Sequence, residues 1–254
     1  MDLNSYLAVL ASEATVLADA ADEAGLDAPV PTCPGWAVND LVLHIGEVHR
    51  WATAVLTSRA TKLSDVPGDS LGALPERAGT TDWLRHGAAR LCDALVTADP
   101  SVEYAAFLAD PIAPRVLFWA RRQTMETSVH RVDAESALGR CTVLAPDVAL
   151  DGIDEFLSGF LPRARTPLHA DTAVSLLVAP DFSDLRWTVA ISDDLPVTVR
   201  RACEADSPAT CIVSGPASDI YLALWNRVSL NTLRIDGVPS VVELLRTNVQ
   251  IRWS

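Results

Sequence analysis

Apolar and small residues recur with a helical period through the first half of the chain. Between Asn4 and Gly25 they fall at Leu7, Leu10, Ala11, Ala14, Leu17 and Ala18, which predicts an amphipathic helix ended by Gly25. The stretch PVPTCPGW (residues 29–36) holds three prolines, which exclude a helix and predict a turn-rich segment. A second helix spans Val38 to Thr57, with Leu41, Ile45, Val48 and Ala52 on its buried face. Residues 61–80 are rich in Gly, Pro and Ser and are expected to be loop. A third helix, capped by Thr81 or Asp82, runs to about Ala98 and turns Leu84, Ala88, Leu91 and Leu95 inward. The fourth covers Pro114 to Leu138, with Pro114 suited to its first position and Gly139 to the position just past its end.

After Gly139 the pattern changes. One more amphipathic helix is expected at Asp147 to Leu161, stopped by Pro162, and beyond it the period becomes alternating. Thr172–Val178, Leu185–Ser192, Val197–Arg200, Ala209–Val213 and Thr232–Ile235 read as strands, with helices at Ala217–Val228 and Ser240 to about Asn248 between and after them. The expected fold is α+β: a four-helix bundle over residues 1–145, then a small α/β domain over residues 146–254. No internal repeat or low-complexity tract interrupts it.

Composition narrows the function. The 254 residues carry a net charge of −13, which argues against nucleic acid or an anionic membrane as partner, though not against a small anion met by one local Arg. Residues 1–24 contain no Lys or Arg, unlike a signal peptide, and the longest apolar run, Ala173 to Pro180, is too short to span a bilayer. Five scattered cysteines without a C-x-x-C read as reduced thiols. A cytoplasmic protein is expected, monomer or homodimer.

Chemistry concentrates on the fourth helix. Glu126 and His130 are four residues apart and share one face with Trp119, Gln123, Asp133, Ala134 and Ala137. From spacing alone a surface Glu–His pair is the commoner arrangement. If the stripe looks inward, however, the unpaired charge needs compensation, and a metal ion is one means. His44 shares the apolar face of the second helix, whereas His49 lies about 140° round from it and is expected at the side or in solvent. Two imidazoles and a carboxylate form the three-ligand set of a catalytic zinc with an open fourth position, and would equally accept iron(II). Asp133 either orients His130 or is a solvated charge, and Arg122 either balances Glu126 or is solvated. Trp119 and Gln123 either line a pocket or fill the core. Cys33, in the turn before the second helix, reads as a small, partly buried thiol. His86 and His169 have no nameable partner.

The stretch VPTCPGWAVNDLVLHIGEVHRWA (residues 30–52) resembles the N-terminal signature of the mycothiol-dependent maleylpyruvate isomerase family, within the DinB-like metalloenzymes. The likeness continues in RRQTMETSVHRVDAE (121–135), LDGIDEFLSGFLPR (150–163) and GPASDIYLALWNR (215–227), in the family's order over nearly the whole chain. Two departures touch no proposed ligand: Ala37 stands where relatives commonly have Thr or Ser, and Asp236-Gly237 reverses their Gly-Asp.

The resemblance implies a DinB-like bundle followed by a domain resembling sterol carrier protein, and a divalent metal, usually zinc, held by His44, Glu126 and His130. It implies mycothiol as the thiol cosubstrate and a small electrophile as substrate. It also places Arg227 where the family has an arginine reaching towards the metal pocket, able to bind an acidic substrate; an Arg at a helix C-terminus facing solvent is the alternative. No cysteine lies near a proposed ligand in sequence, and the chain has no G-x-S-x-G and no phosphate-cradling glycine loop, so it is expected to bring a Lewis acid and no nucleophile of its own. Cis–trans isomerisation and S-transfer both fit a thiol activated in this way. A non-catalytic metal- or ligand-binding regulator on the same bundle is the reading from another class.

Overall fold

The structure is a computed structural model and describes residues 1–108, 112–163, 168–194, 196–202 and 209–249. The chain divides into an N-terminal unit, which ends at Thr142, and a C-terminal unit made of the chain from Val143 onward together with Leu108.

In the N-terminal unit four long helices pack together: α1 (Leu3–Ala24), α2 (Val38–Thr57), α3 (Thr80–Thr97) and α4 (Arg115–Ser136). α1 packs on α3 and α4, and α2 packs on the same two helices, which closes a four-helix bundle. Leu17 and Ala18 of α1, Val38, Leu41 and Ile45 of α2, Leu84 of α3 and Ala134 of α4 meet in one fully buried cluster. Each larger member stabilises the fold by about 1.5–3 kcal/mol through the apolar surface it removes from water.

The helix ends follow local chemistry. The Asp2 carboxylate accepts from Ser5 N–H at 2.8 Å and starts α1. Ala37 has no side-chain acceptor with which to cap α2, but its own N–H donates to Asp40 at 2.9 Å, half of a capping box. α3 begins one residue before the expected cap: Gly79 takes the cap position, and Asp82 sits in the first turn, where its charge suits the helix dipole. Pro114 is the residue before α4, not its first, and Gly139 lies past its end with φ 68°. Within the 61–80 loop, Leu63–Asp65 and Arg77–Gly79 form short 3₁₀ turns.

The C-terminal unit opens with α5 (Pro146–Asp154), which does not continue as a regular helix. It widens into a π turn over Glu155–Phe160, with Leu161 N–H bonded to Phe156 C=O at 3.2 Å. Five strands follow in one mixed sheet: β1 (Val174–Pro180), β2 (Leu185–Ile191), β3 (Val197–Ala202), β4 (Cys211–Gly215) and β5 (Arg234–Gly237), ordered β3-β2-β1-β4-β5. β1 and β4 run parallel and the other neighbours antiparallel. Register places Val178 opposite Trp187 and Leu176 opposite Val189, all buried, so one face is apolar at every second residue. β5 starts two residues later than its pattern indicated, because Leu230–Thr232 forms a 3₁₀ turn whose Ser229 hydroxyl accepts from Asn231 N–H.

α6 (Ala217–Leu224) packs on α5, and α7 (Ser240–Asn248) packs on β1 and β4. α6 stops well before Val228. Asn226 takes φ 60°, Asn226 N–H bonds Ala223 C=O at 3.0 Å, and Arg227 N–H bonds Leu222 C=O at 2.8 Å, a Schellman motif with Asn in the left-handed position. Cys33, Cys92, Cys141 and Cys211 are free thiols; Cys203 lies outside the described residues. No described helix is long and apolar enough to cross a membrane.

Candidate metal centre

α4 is polar for a helix with so little exposure. Every residue from Phe118 to His130 is buried, including Arg121, Arg122, Gln123, Thr124, Glu126 and Ser128. The inward-facing stripe expected of Glu126 and His130 is therefore part of a helix buried on nearly all sides, and the surface-pair alternative does not apply.

His44 of α2 comes to the same place. Its Nε2 lies 3.6 Å from Glu126 Oε1, and His130 Nε2 lies 3.4 Å from that same oxygen. The three ligand atoms lie within 4.8 Å of one another. His44 and His130 meet edge to face with ring centroids 5.1 Å apart. His44 Nε2 and Glu126 Oε1 are both buried and have no hydrogen-bond partner. Two buried polar atoms without a hydrogen bond face each other beside His130 Nε2, a place where a cation would satisfy both, and the N₂O donor set suits a borderline divalent metal.

Neighbouring groups fix the three side chains. Arg122 donates to Glu126 Oε2 at 2.6 Å inside the bundle, leaving Oε1 turned to the histidines. Burial opposes ionisation of Glu126, yet Arg122 and the contacts from His130 and His44 outweigh it and hold the carboxyl well below its usual range. Asp133, fully buried, sits 2.8 Å from His130 Nδ1. Burial works against a charged His130, but Asp133, then Cys33, then Glu126 outweigh it and raise its pKa well above 6.5. In the absence of a cation His130 thus holds a proton in a site whose carboxylates attract positive charge. The solvated alternatives for Arg122 and Asp133 are both overturned, since each is buried and paired.

Three nearby residues carried weaker signals in the sequence. Trp36, in the turn before α2, lies nearly parallel to His130 at 6.4 Å and edge-on to His44 at 5.2 Å, walling the histidines. Its only sequence signal is an aromatic residue directly before a His-bearing helix. Cys33, half-buried in the same turn, groups with His130 and Asp133. His49 is not at the side or in solvent: it is fully buried and 2.9 Å from Thr127 of α4. Because α2 packs on both α3 and α4, a residue 140° from His44 still meets a helix.

Trp119 is fully buried; its indole N–H donates to Ala105 C=O at 2.9 Å, and its ring packs among Trp51, Phe107 and Phe118. Gln123, one turn before Glu126, has its Oε1 buried without a partner. Arg227 belongs to the C-terminal unit, half-buried just past α6, where it donates to Trp225 C=O at 2.8 Å. His86 and His169 are exposed.

A four-helix bundle that brings His44, Glu126 and His130 together, in a chain that continues into a mixed five-stranded sheet, defines the class by fold and by a candidate metal site. The model of the mycothiol maleylpyruvate isomerase N-terminal domain matches residues 7–135, and that of the MDMPI C-terminal domain matches residues 147–244. The chain belongs to the mycothiol maleylpyruvate isomerase family. Among solved structures, it is similar to mycothiol-dependent maleylpyruvate isomerase, with TM-score 0.60, 12% identity and 93% of each chain covered. A histidine-to-alanine mutant of a mycothiol-dependent maleylpyruvate isomerase matches with the same TM-score and coverage at 11% identity. At these identities the likeness to solved structures speaks for the fold alone. No curated protein matches the sequence.

Proposed function

We propose that this protein is a metal-dependent enzyme that uses mycothiol as thiol cosubstrate and acts on a small electrophilic substrate. The observation that carries the reading is the convergence of His44, Glu126 and His130 on one point, with two buried polar atoms there lacking a hydrogen bond. These three residues would hold a divalent cation, zinc by the family resemblance although the donors suit iron(II) as well, with a position left over for sulfur. Such a cation supplies Lewis acidity that lowers the pKa of a thiol at that position.

The chain's own residues do the remaining work. Arg122 keeps Glu126 ionised, and Asp133 holds His130 so that Nε2 faces the site. Trp36 shields both imidazoles from one side. Gln123 offers its unpaired Oε1 to a donor on the thiol, with Trp119 as the rigid wall one turn further back. For Arg227, in the C-terminal unit, the family resemblance alone supports a role in binding a substrate carboxylate, which its planar guanidinium suits. The activated thiol would add to an electrophilic carbon. Rotation and expulsion then give cis–trans isomerisation, and retention of the sulfur gives S-transfer.

The test pairs metal analysis with turnover. Purified protein should contain stoichiometric divalent metal, and it should convert maleylpyruvate or a generic electrophile only when mycothiol is present. Dependence on mycothiol with maleylpyruvate selects isomerisation; conjugate formation with the electrophile selects transfer. Metal bound without a thiol effect on either substrate would defeat the enzymatic reading in favour of a binding module.

A further inference from the structure

On another side of α2 the bundle holds a second polar site. Arg50 follows His44 by six residues, which places it about 120° round the helix, and no proposed metal ligand lines the cavity it faces. That cavity has a volume of about 500 Å³, within the range of small-molecule sites, and lies between α2, α3 and the loop at residues 67–73.

Arg50 is held in place by a built stack. Its guanidinium carbon sits 3.5 Å from the centre of the Trp83 ring. Nη1 donates to Gly46 C=O and Nη2 to Trp83 C=O, each at 2.9 Å. Two glycines make room for this. A Cβ on Gly46 would stand 1.9 Å from the Trp83 ring, and one on Gly87 would stand 2.5 Å from Arg50 Nη1. The sequence thus gives up side chains on two helices to seat one arginine against one indole.

Arg90, one turn after Gly87, lines the same cavity. Burial and then the Arg90 charge lower the Arg50 pKa from 12.5 to about 10, so the two cations repel across the space. Neither forms an ion pair among the described residues, although the protein is strongly acidic. Asp69 also lines the cavity but is paired with neither. The hydroxyls of Thr53, Thr57 and Ser58 each donate to a backbone carbonyl one turn back, so on the α2 side of the cavity the donors for an incoming anion come from Arg50.

We propose that the cavity between α2, α3 and the 67–73 loop binds a small anionic metabolite through carboxylate or phosphate oxygens held between Arg50 and Arg90. An oxyanion there relieves the repulsion of the two guanidiniums and meets the unused N–H groups of both. The site is separate from the metal centre and does not depend on the function proposed for it.

Purified full-length protein, ¹⁵N-labelled, is titrated with inorganic phosphate and, separately, with succinate. Saturating shifts of the Trp83 indole N–H and the Gly87 amide with either anion are expected, and the anion that saturates identifies the oxyanion type. Arg90 is exposed, so Arg90→Gln should keep the fold while weakening binding about tenfold or more, the loss of a charge-assisted hydrogen bond. Arg50→Gln should abolish binding at the same concentrations. Linear, non-saturating shifts with both anions would overturn the proposal. So would shifts centred on His44 and His130, or unchanged affinity in Arg90→Gln.

Discussion

His49 Nε2 lies 2.9 Å from Thr127 Oγ1, and the Thr127 hydroxyl donates in turn to Gln123 C=O at 2.7 Å. The hydroxyl proton is thereby spent, so the imidazole must be the donor and carries its proton on Nε2. Nδ1 is left buried with no partner. Burial, then the neighbouring Arg50 charge, lower the His49 pKa from 6.5 to about 3. Unfolded chain takes up a proton at this residue below about pH 6.5, whereas folded protein does not until about pH 3. The unfolded state therefore binds more protons between those values. Stability should fall as the pH is lowered through the window, by up to about 1.4 kcal/mol per unit from this residue. Urea denaturation from pH 7 to 4 measures it. His49→Gln should flatten the dependence, and an unchanged slope in that variant would exclude His49 as its source.

Removing one proposed metal ligand should empty the site. His44→Ala takes away the only ligand from α2, leaving the i, i+4 pair of α4, which is too few for a stable site. Metal content by mass spectrometry should drop from about one per chain to near zero, with thiol-dependent turnover lost alongside it. Glu126→Gln should behave similarly, since it removes the carboxylate that both imidazoles face. Full metal retention in both variants would show that the cation, if bound, sits elsewhere.

Asp133→Asn tests how the site is held. The carboxylate is fully buried against His130 Nδ1, and an amide there can orient the ring wrongly or leave it unpaired. Such supporting groups typically tune metal affinity by about 10–100-fold. Competition with a chromogenic chelator should show weakening of that size, with the fold intact by circular dichroism.

Much of this was legible in the sequence because helical periodicity is strong where one face of a helix is buried. All four bundle helices, and the pairing of His44 with Glu126 and His130, follow from spacing together with the family resemblance. The polar partners were harder to read. Arg122 lies off the Glu126–His130 stripe and His49 off the apolar face of α2, yet α4 is buried almost all round and meets α2, so both pair inside the protein; Asp133 lies on the stripe, where spacing alone does not separate a partner of His130 from a solvated charge. Trp36 was missed because a turn has no period to follow. In the C-terminal unit, strand centres could be read but ends shifted by about two residues, where β1 and β4 extend their pairing and a 3₁₀ turn delays β5. The early stop of α6 depends on Asn226 taking a left-handed conformation, which composition alone does not announce.

Gly46→Ala probes the contact between α2 and α3. The added methyl would stand 1.9 Å from Trp83 Cζ3, closer than any real contact, so the indole must leave its seat. Overpacking of this kind destabilises by about 1–3 kcal/mol. For a protein of this size that corresponds to a fall in Tm of roughly 2–4 °C per kcal/mol. Differential scanning calorimetry reads it directly. Because Arg50 lies on the same ring, the variant should also weaken anion binding in the cavity between these helices.

Arg122→Met separates the structural role of Glu126 from its role as a ligand. Arg122 and Glu126 are both buried and joined at 2.6 Å, so truncating the cation leaves a buried carboxylate without its principal counter-charge. Breaking a buried pair from one side destabilises by about 3–5 kcal/mol. A divalent ion between His44, Glu126 and His130 would replace part of the missing positive charge, and binding to the folded state alone stabilises by mass action. Thermal unfolding of the variant should therefore show a larger rise in Tm on adding zinc than the parent protein shows, starting from a lower apo value. Equal zinc-induced shifts in parent and variant would mean that the ion does not sense Glu126, and the three-ligand site would then have to be abandoned.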